Sequence, residues 1–309
     1  MIEWIITILG LAVFEVICSV DNAIVNAHIL KGLDDKYRKF FFTWGLFIAV
    51  FLVRGILPFI IVWIANSGLS FGEIMIAPFT QDALIADSFE HSKPLLLLGG
   101  GSYLFLIFLS WLFLEQKNCV FKLEKFIYTQ SVWFYAWASI YIVFIVYLSI
   151  QVDPILALAS VIGVSAFFIT DGFKQNAEKT EKEMLSGKSH LSAWGQIFYL
   201  EVLDASFSID GVIGAFAFTT SIPLILLGNG LGAIVIRQLT IKGIDRISKY
   251  AYLKNGAMYS IGILGIIMVM ESFGKEIEFW IAPAITLSIL LIFLFLSKKH
   301  IKNQAQGLD

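Results

Sequence analysis

Two related stretches decide the fold of this chain: FEVICSVDNAIV (residues 14–25) and VLDASFSIDGVIGAFA (residues 202–217). Each contains an acid, three intervening residues and then Ser-(Val/Ile)-Asp-(Asn/Gly), and the copies are separated by a constant offset of 189 residues. Each copy lies in the middle of a long apolar segment. An ionised carboxylate at the centre of a bilayer costs at least about 2.5–3.5 kcal/mol, so acids repeated there indicate a functional site in a membrane protein.

The composition supports this interpretation. Of the 309 residues, 58% are apolar and 15% are charged, whereas an average soluble domain is about 45–50% apolar and about 25% charged. These values exclude an ordinary soluble enzyme and a disordered protein. The net charge of −2 excludes the strongly basic surface that nucleic-acid binding requires. Two cysteines, Cys18 and Cys119, cannot build a disulfide framework.

The apolar segments predict an all-α polytopic membrane protein. A spanning helix needs roughly 20 predominantly apolar residues. Nine segments of the chain meet this requirement approximately, with boundaries good to a few residues: 4–29, 41–65, 94–114, 132–150, 154–171, 194–219, 222–241, 254–271 and 278–297.

Basic residues predict the orientation of these spans, because cytoplasmic loops collect Lys and Arg. Nineteen of the 22 basic residues lie in or at the edges of the loops after odd-numbered spans or in the C-terminal tail, counting Arg237 at the edge of span 7. Only Lys93 and Lys275 lie in the even-numbered loops, and Arg54 lies inside span 2. We therefore expect a bacterial inner-membrane protein with its N-terminus outside and its C-terminus in the cytoplasm.

Polar segments divide the chain into two halves. Residues 1–171 form the predicted first membrane half, with an outside loop at 66–93 that we expect to be solvated. Residues 172–193 are polar and predict a cytoplasmic helix or linker. Residues 194–309 form the predicted second membrane half.

The repeated motif is part of a larger internal repeat. Each motif span is followed by a span with one arginine, Arg54 or Arg237, and then by a span that ends in a glutamate, Glu115 or Glu271. The motif spans are the first and the sixth, so they cross the membrane in opposite directions. Spans 1–3 and 6–8 therefore predict an inverted-topology repeat, which many secondary transporters build around a central site.

The motif residues predict a site for a hard cation, because carboxylate, hydroxyl and amide oxygens are the ligands that Mg, Ca and Mn ions prefer. Acids six residues apart are rotated by about 240° on a regular helix, so either the helices break locally or the two acids serve different neighbours. The arginines are predicted to be structural counter-ions of the acids. The candidate ligands are Glu15, Asp21, Asn22, Asp204, Ser208 and Asp210, with Ser19 and Glu201 as weaker candidates and Arg54 and Arg237 as counter-ions.

These stretches, with PLLLLGGGSYLFLIF (94–108) and LLGNGLGAIVIRQL (226–239), resemble the TerC family of membrane proteins within the LysE-like transporter superfamily. The resemblance implies efflux of a metal ion, chiefly manganese, and an association with tellurite resistance. Glu15, Asp21 and Asn22 match the first family motif, and Asp204, Ser208 and Asp210 match the second. Gly211 departs from the more common Asp-Ser pattern of the family.

The leading hypothesis is an exporter of a divalent cation, most of all manganese, driven by proton exchange. One alternative is export of calcium, protons or a small organic solute, and another is a non-transporting membrane scaffold that senses metal. Paired membrane aspartates can hydrolyse peptides, but the Gly-x-Gly-Asp motif of presenilin-type proteases is absent. We therefore expect that the protein is not an enzyme and has no permanently bound cofactor. Its expected partners are the lipid bilayer, the transported cation and protons.

Overall fold

The computed structural model describes residues 2–45, 47–48, 54–65, 68–77, 83–186, 191–242 and 249–305. Within these residues the regular structure is helical and contains no strand. The α-helices are α1 Ile2–Cys18, α2 Val20–Lys31, α3 Asp35–Phe40, α4 Arg54–Ala65, α5 Phe71–Ile76, α6 Ala83–Leu114, α7 Lys122–Thr129, α8 Phe134–Val152, α9 Pro154–Leu185, α10 Ala193–Ala215, α11 Ile222–Lys242, α12 Leu253–Ser272 and α13 Ile281–Ala305.

Six described helices are long and apolar enough to cross a membrane, or seven if the bent pair α1 and α2 forms one span. Two of the nine predicted spans do not meet that standard in the described residues. Predicted span 2 contains the shorter helix α4, and its residues 46 and 49–53 lie outside the described residues. Predicted span 6 corresponds to α10, which is long enough but carries three acids, Glu201, Asp204 and Asp210.

The first copy of the motif lies at a bend. α1 and α2 meet at Ser19 with an angle of 49° between their axes. Backbone hydrogen bonds continue through the bend, since the Ser19 amide donates to the Glu15 carbonyl and the Ala23 amide to the Ser19 carbonyl, each at 3.0 Å. The second copy lies within the continuous helix α10. Only the first of the two motif helices is therefore bent at the motif.

Predicted span 5 extends into the polar segment that follows it. α9 is one helix of 32 residues from Pro154 to Leu185, and Asp153 caps its start by accepting a hydrogen bond from the Ile155 amide at 2.8 Å. Residues 172–185, predicted as part of a linker, thus continue the helix. The Tyr199 hydroxyl donates to the Ala177 carbonyl at 2.9 Å and ties this extension to α10. Residues 187–190 of the predicted linker lie outside the described residues.

Glycines bring α6 close to α9 and α12. A Cβ at Gly101 would lie 2.8 Å from the Gly265 carbonyl oxygen, and a Cβ at Gly265 would lie 3.0 Å from the Gly101 carbonyl oxygen. A Cβ at Gly163 of α9 would lie only 2.0 Å from the Gly99 carbonyl oxygen. Lipid is as apolar as the helices themselves, so close backbone packing of small residues drives association in a membrane. α6 therefore lies between α9 and α12.

The helix contacts follow a reciprocal pattern between the two halves. α1 of the first half packs against α11 and α12, and α10 of the second half packs against α4 and α6. The pairs α1–α10, α4–α11 and α6–α12 are also in contact. Exchanging α1, α4 and α6 for α10, α11 and α12 turns α1–α11 into α10–α4 and α1–α12 into α10–α6, and leaves the other three pairs unchanged. This arrangement brings both motif helices and both arginine-bearing helices together.

Candidate functional site

One arginine lies between the first acids of the two motif copies. Arg54 Nη2 is 2.7 Å from Glu15 Oε1, and Arg54 Nη1 is 3.8 Å from Asp204 Oδ2. The Arg54 and Glu15 side chains are 4% and 1% exposed, and that of Asp204 is 12% exposed. A buried charge is tolerated when it is paired, so Arg54 compensates acids from both halves of the chain.

Glu15 is the most enclosed acid of the motif. The Ser19 hydroxyl donates to Glu15 Oε1 at 2.7 Å, one turn along the helix. The other oxygen, Oε2, has no hydrogen-bond partner among the described residues and faces Gly211 of the second motif. A Cβ at Gly211 would lie 2.8 Å from Glu15 Oε2. Gly211, the position that departs from the resembled family, thus leaves room for the carboxylate of the other copy.

The second buried arginine lies beside Glu201. Arg237 Nη2 donates to the Phe41 carbonyl oxygen at 3.0 Å and is 3.9 Å from Glu201 Oε1. The Arg237 guanidinium also lies 4.1 Å from the centre of the Phe41 ring, a cation–π contact. A Cβ at Gly45 would overlap the Glu201 carboxylate. The short π-helix Phe41–Gly45 therefore packs against both charged side chains, Arg237 and Glu201.

The second acid of each motif copy contacts a lysine from another helix. Asp210 accepts a hydrogen bond from the Tyr103 hydroxyl at 2.8 Å and another from Lys174 Nζ at 2.5 Å. Asp21 lies 3.1 Å from Lys254 Nζ, which also pairs with Glu115. The two copies thus share a pattern in which the first acid faces arginine and the second faces lysine.

A small cavity lies beside the Arg54 pair. Its volume is about 20 Å³, which is room for about one water molecule or one dehydrated ion. Both arginines that line it, Arg54 and Arg237, have an Nε that is buried without a hydrogen-bond partner among the described residues. Its polar lining is Ser19, Asn26, Arg54, Asp204, Arg237 and Thr240.

The structure groups only part of the predicted ligand set. Ser19, Asp204 and the two arginines line the cavity, and Glu15 is paired to one of them. Asn22 is half-buried on α2 away from the cavity lining, and the Ser208 hydroxyl donates to the Asp204 carbonyl oxygen at 2.5 Å. Among the described residues, no three His, Cys, Asp or Glu side chains form a group placed to hold a metal ion. The two acids of each copy serve different neighbours, which was one of the two possibilities left by their spacing.

The sequence interpretation missed several residues at this site. Asn26 lies seven residues after Ser19 and Thr240 three after Arg237, so helical periodicity could have placed each on the face of its neighbour. Lys174 and Lys254 were assigned to cytoplasmic loops because they fit the charge pattern of the loops. Tyr103 lies in an apolar run and gives no sequence signal of its contact with Asp210.

In a comparison with known protein families, residues 20–306 match the family described as protein of unknown function (DUF475). The chain belongs to that family. The match covers both motif copies except for the first acid, Glu15, and Ser19. It also covers every helix from α2 to α13.

One protein of similar sequence matches part of the chain. The chain is 28% identical over 115 residues to the "Uncharacterized membrane protein YceF" of Bacillus subtilis (strain 168). The alignment covers 36% of this chain and 45% of that relative, so the chain spans under half of its length. No solved structure matches the chain. With the apolar helices, this similarity supports an integral membrane protein.

Proposed function

We propose that this protein is a transporter that exports a divalent metal cation, manganese being the preferred substrate, in exchange for protons. The observation that carries the proposal is Arg54, which joins Glu15 of the first motif to Asp204 of the second inside the helix bundle. Two acids from repeated motifs, buried together, are not needed for helix packing, which small residues provide at lower cost. Intramembrane acids are by default a sign of an ion or proton pathway.

The reciprocal helix contacts support a transporter with an inverted repeat. Inverted-topology repeats place the substrate site at their interface, and rocking of one repeat against the other exposes it alternately to each side. The cavity beside Arg54 lies between α2 and α4 of the first predicted repeat and α10 and α11 of the second, which supports a site between the repeats. We also propose that the chain has nine membrane spans and is related to the TerC family.

The chemistry of the acids supports a hard cation as substrate. Three carboxyl groups, those of Glu15, Asp204 and Glu201, lie close to only two guanidinium groups, those of Arg54 and Arg237. The balance favours a cation or protons over an anion. The substrate ion would be held by the carboxylate, hydroxyl and amide oxygens, which Mn²⁺ accepts readily. The basic side chains now hold these acids, so cation binding requires them to move.

A second candidate substrate is a small organic solute that carries a carboxylate. The observation that favours it is that the buried Nε groups of Arg54 and Arg237 have no hydrogen-bond partner among the described residues. The cavity of about 20 Å³ lined by these arginines holds about one water molecule, so it would have to open to admit such a solute. Arginine is well suited to hold a carboxylate. The acids Asp204 and Glu201 would then hold the cationic part of such a solute.

Ion flux in proteoliposomes tests the proposal. The full chain is reconstituted with a manganese-sensitive dye inside and a pH gradient across the membrane. We expect Mn²⁺ uptake that depends on the gradient and is absent from liposomes without protein. Calcium and a zwitterionic amino acid, tested in parallel, separate the substrate classes. Manganese flux no greater than in empty liposomes, with flux of the amino acid instead, would establish the second candidate.

A further inference from the structure

We propose that Lys174 and Lys254 are internal counter-cations that occupy the places of the transported ion at Asp210 and Asp21. The proposal rests on the proposed cation transport and names the residues that compete with the substrate. Both lysines lie outside the repeated motif, and the charge pattern of the loops gave them only a topological role. Their ammonium groups instead contact the second acid of each motif copy.

The contact at Asp210 is enclosed. The side chains of Lys174 and Asp210 are 15% and 10% exposed, and Lys174 Nζ lies 2.5 Å from Asp210 Oδ2. The Tyr103 hydroxyl donates to the other oxygen, Oδ1, at 2.8 Å and also lies 3.1 Å from the Thr170 hydroxyl. Each carboxylate oxygen of Asp210 therefore has a partner. A metal ion can gain Oδ2 as a ligand only if the ammonium group of Lys174 leaves it.

The contact at Asp21 is more open and involves a second acid. Lys254 Nζ lies 3.1 Å from Asp21 Oδ2 and also pairs with Glu115 at the end of α6. The side chains of Lys254 and Asp21 are 36% and 40% exposed. One ammonium group thus satisfies two carboxylates from different helices. Without it, two acids would lie together where a divalent cation is attracted.

Electrostatics makes the lysines and a divalent ion mutually exclusive. Like charges a few ångströms apart repel strongly where the surroundings are less polarisable than water. An ion bound to Asp210 would therefore expel the ammonium group of Lys174, and the same holds for Lys254 at Asp21. When the ion leaves, the lysine returns, so that the enclosed Asp210 is never left buried without a positive partner, which is the costly state.

The lysines also connect ion binding to the packing of the helices. Lys174 belongs to α9 and Lys254 to α12, and both helices pack against α6. Expulsion of the two side chains releases ties between α9 and α10 and between α12 and α2. These ties join the motif helices to helices outside the motif. A cation that displaces the lysines would thereby free the motif helices to move.

Binding of Mn²⁺ to the purified full chain tests the proposal. Free Mn²⁺ is followed by its electron paramagnetic resonance signal as metal is added to wild type, Lys174→Gln and Lys254→Gln in detergent. Glutamine keeps a hydrogen-bond donor beside the aspartate but removes the positive charge. We expect both variants to bind Mn²⁺ at least about tenfold more tightly than wild type, because a repelling charge is gone. A merely structural lysine would not tighten metal binding.

Two controls make the result specific. Lys174→Arg keeps the charge and should retain the wild-type affinity. Lys182→Gln removes an exposed lysine from the same helix and should leave the affinity for Mn²⁺ unchanged.

If wild type binds Mn²⁺ and both glutamine variants bind it equally or more weakly, the role of the lysines is wrong but the proposed transport is not. Absence of Mn²⁺ binding in wild type and in every variant overturns the proposed function together with this inference. If Lys174→Gln does not fold, the more exposed Lys254 decides the outcome.

Discussion

Glu15 Oε2 and Gly211 face one another across the two halves of the chain, and a Cβ at Gly211 would lie 2.8 Å from this oxygen. The other oxygen of Glu15 is held by Ser19 and Arg54, each at 2.7 Å. The carboxylate is thus fixed on one side and cannot swing away from the second motif. Gly211, the residue after Asp210, therefore forms part of the wall around the Glu15 carboxylate.

Gly211→Ala should therefore lower the thermal stability of the protein in detergent. Overpacking at a filled site costs about 1–3 kcal/mol, which exceeds the gain of about 1 kcal/mol from alanine in a helix. Gly172→Ala is the matched control, since no atom lies within 4 Å of a Cβ at that helical position. We expect the control to melt at or above the wild-type temperature. Equal melting temperatures of the two variants would contradict the contact.

Arg54→Ala should strongly destabilise the protein, because Glu15 and Asp204 would remain buried without a positive partner. Removing one member of a buried pair costs about 3–5 kcal/mol in soluble proteins. Adding Glu15→Gln to Arg54→Ala should restore part of the folded yield, measured by fluorescence-detected size exclusion. Arg38→Ala, at an exposed arginine paired with Asp35, should cost about 0–1 kcal/mol. Normal yield of Arg54→Ala with loss of transport would place Arg54 in the mechanism instead.

The sequence predicted the helical membrane fold because long apolar segments and their flanking charges are local signals. It also predicted the motif residues, since a repeated acid in an apolar segment is visible without coordinates. It named the arginines as counter-ions of these acids, but it could not predict the lysine partners of Asp21 and Asp210. Lys174 and Lys254 lie 36 and 233 residues from Asp210 and Asp21 along the chain, and only the packing of α9 and α12 brings them close.

The length of the helices was also hard to predict. A hydropathy pattern ends predicted span 5 at residue 171, but the helix continues to Leu185 because its polar turns still form backbone hydrogen bonds. In span 6, the three acids Glu201, Asp204 and Asp210 interrupt the apolar pattern, but the helix continues through them. The bend of the first motif at Ser19 has no counterpart in the second copy, although the two motifs are alike.

Gly163→Ala should lower the melting temperature of the protein more than Gly172→Ala does on the same helix. A Cβ at Gly163 would lie 2.0 Å from the Gly99 carbonyl oxygen, which is backbone and has no rotamer to escape to. α9 would have to move away from α6, and packing of small residues is the main force that holds membrane helices together. Thermal melting of the two variants in detergent measures the difference. Similar melting temperatures would show that α6 and α9 do not pack at these glycines.

Single cysteines at Lys182 and Lys275 should label from opposite sides of the membrane. Both positions are exposed, and the basic loops predict residue 182 in the cytoplasm and residue 275 outside. The native Cys18 and Cys119 are first replaced by alanine. A membrane-impermeant maleimide should label Lys275→Cys in intact cells and Lys182→Cys only in inverted vesicles. Labelling of both from one side would exclude the predicted topology, and the inverted repeat with it.

Asp21→Asn and Asp210→Asn should each reduce manganese export at least tenfold while the protein stays folded. Asparagine keeps the shape of the side chain, and its amide oxygen still accepts a hydrogen bond from Tyr103 or from a lysine. It removes the negative charge on which a hard divalent ion depends. Cells that express either variant should be as sensitive to manganese as cells without the protein. Asp171→Asn is the matched control, because Asp171 lies outside the motif, three residues before Lys174 on α9, and accepts a hydrogen bond from Gln175 Nε2 at 2.7 Å. It should export at the parental rate. If the two motif variants also export at that rate, their carboxylates are structural, and the motif is not the transport site.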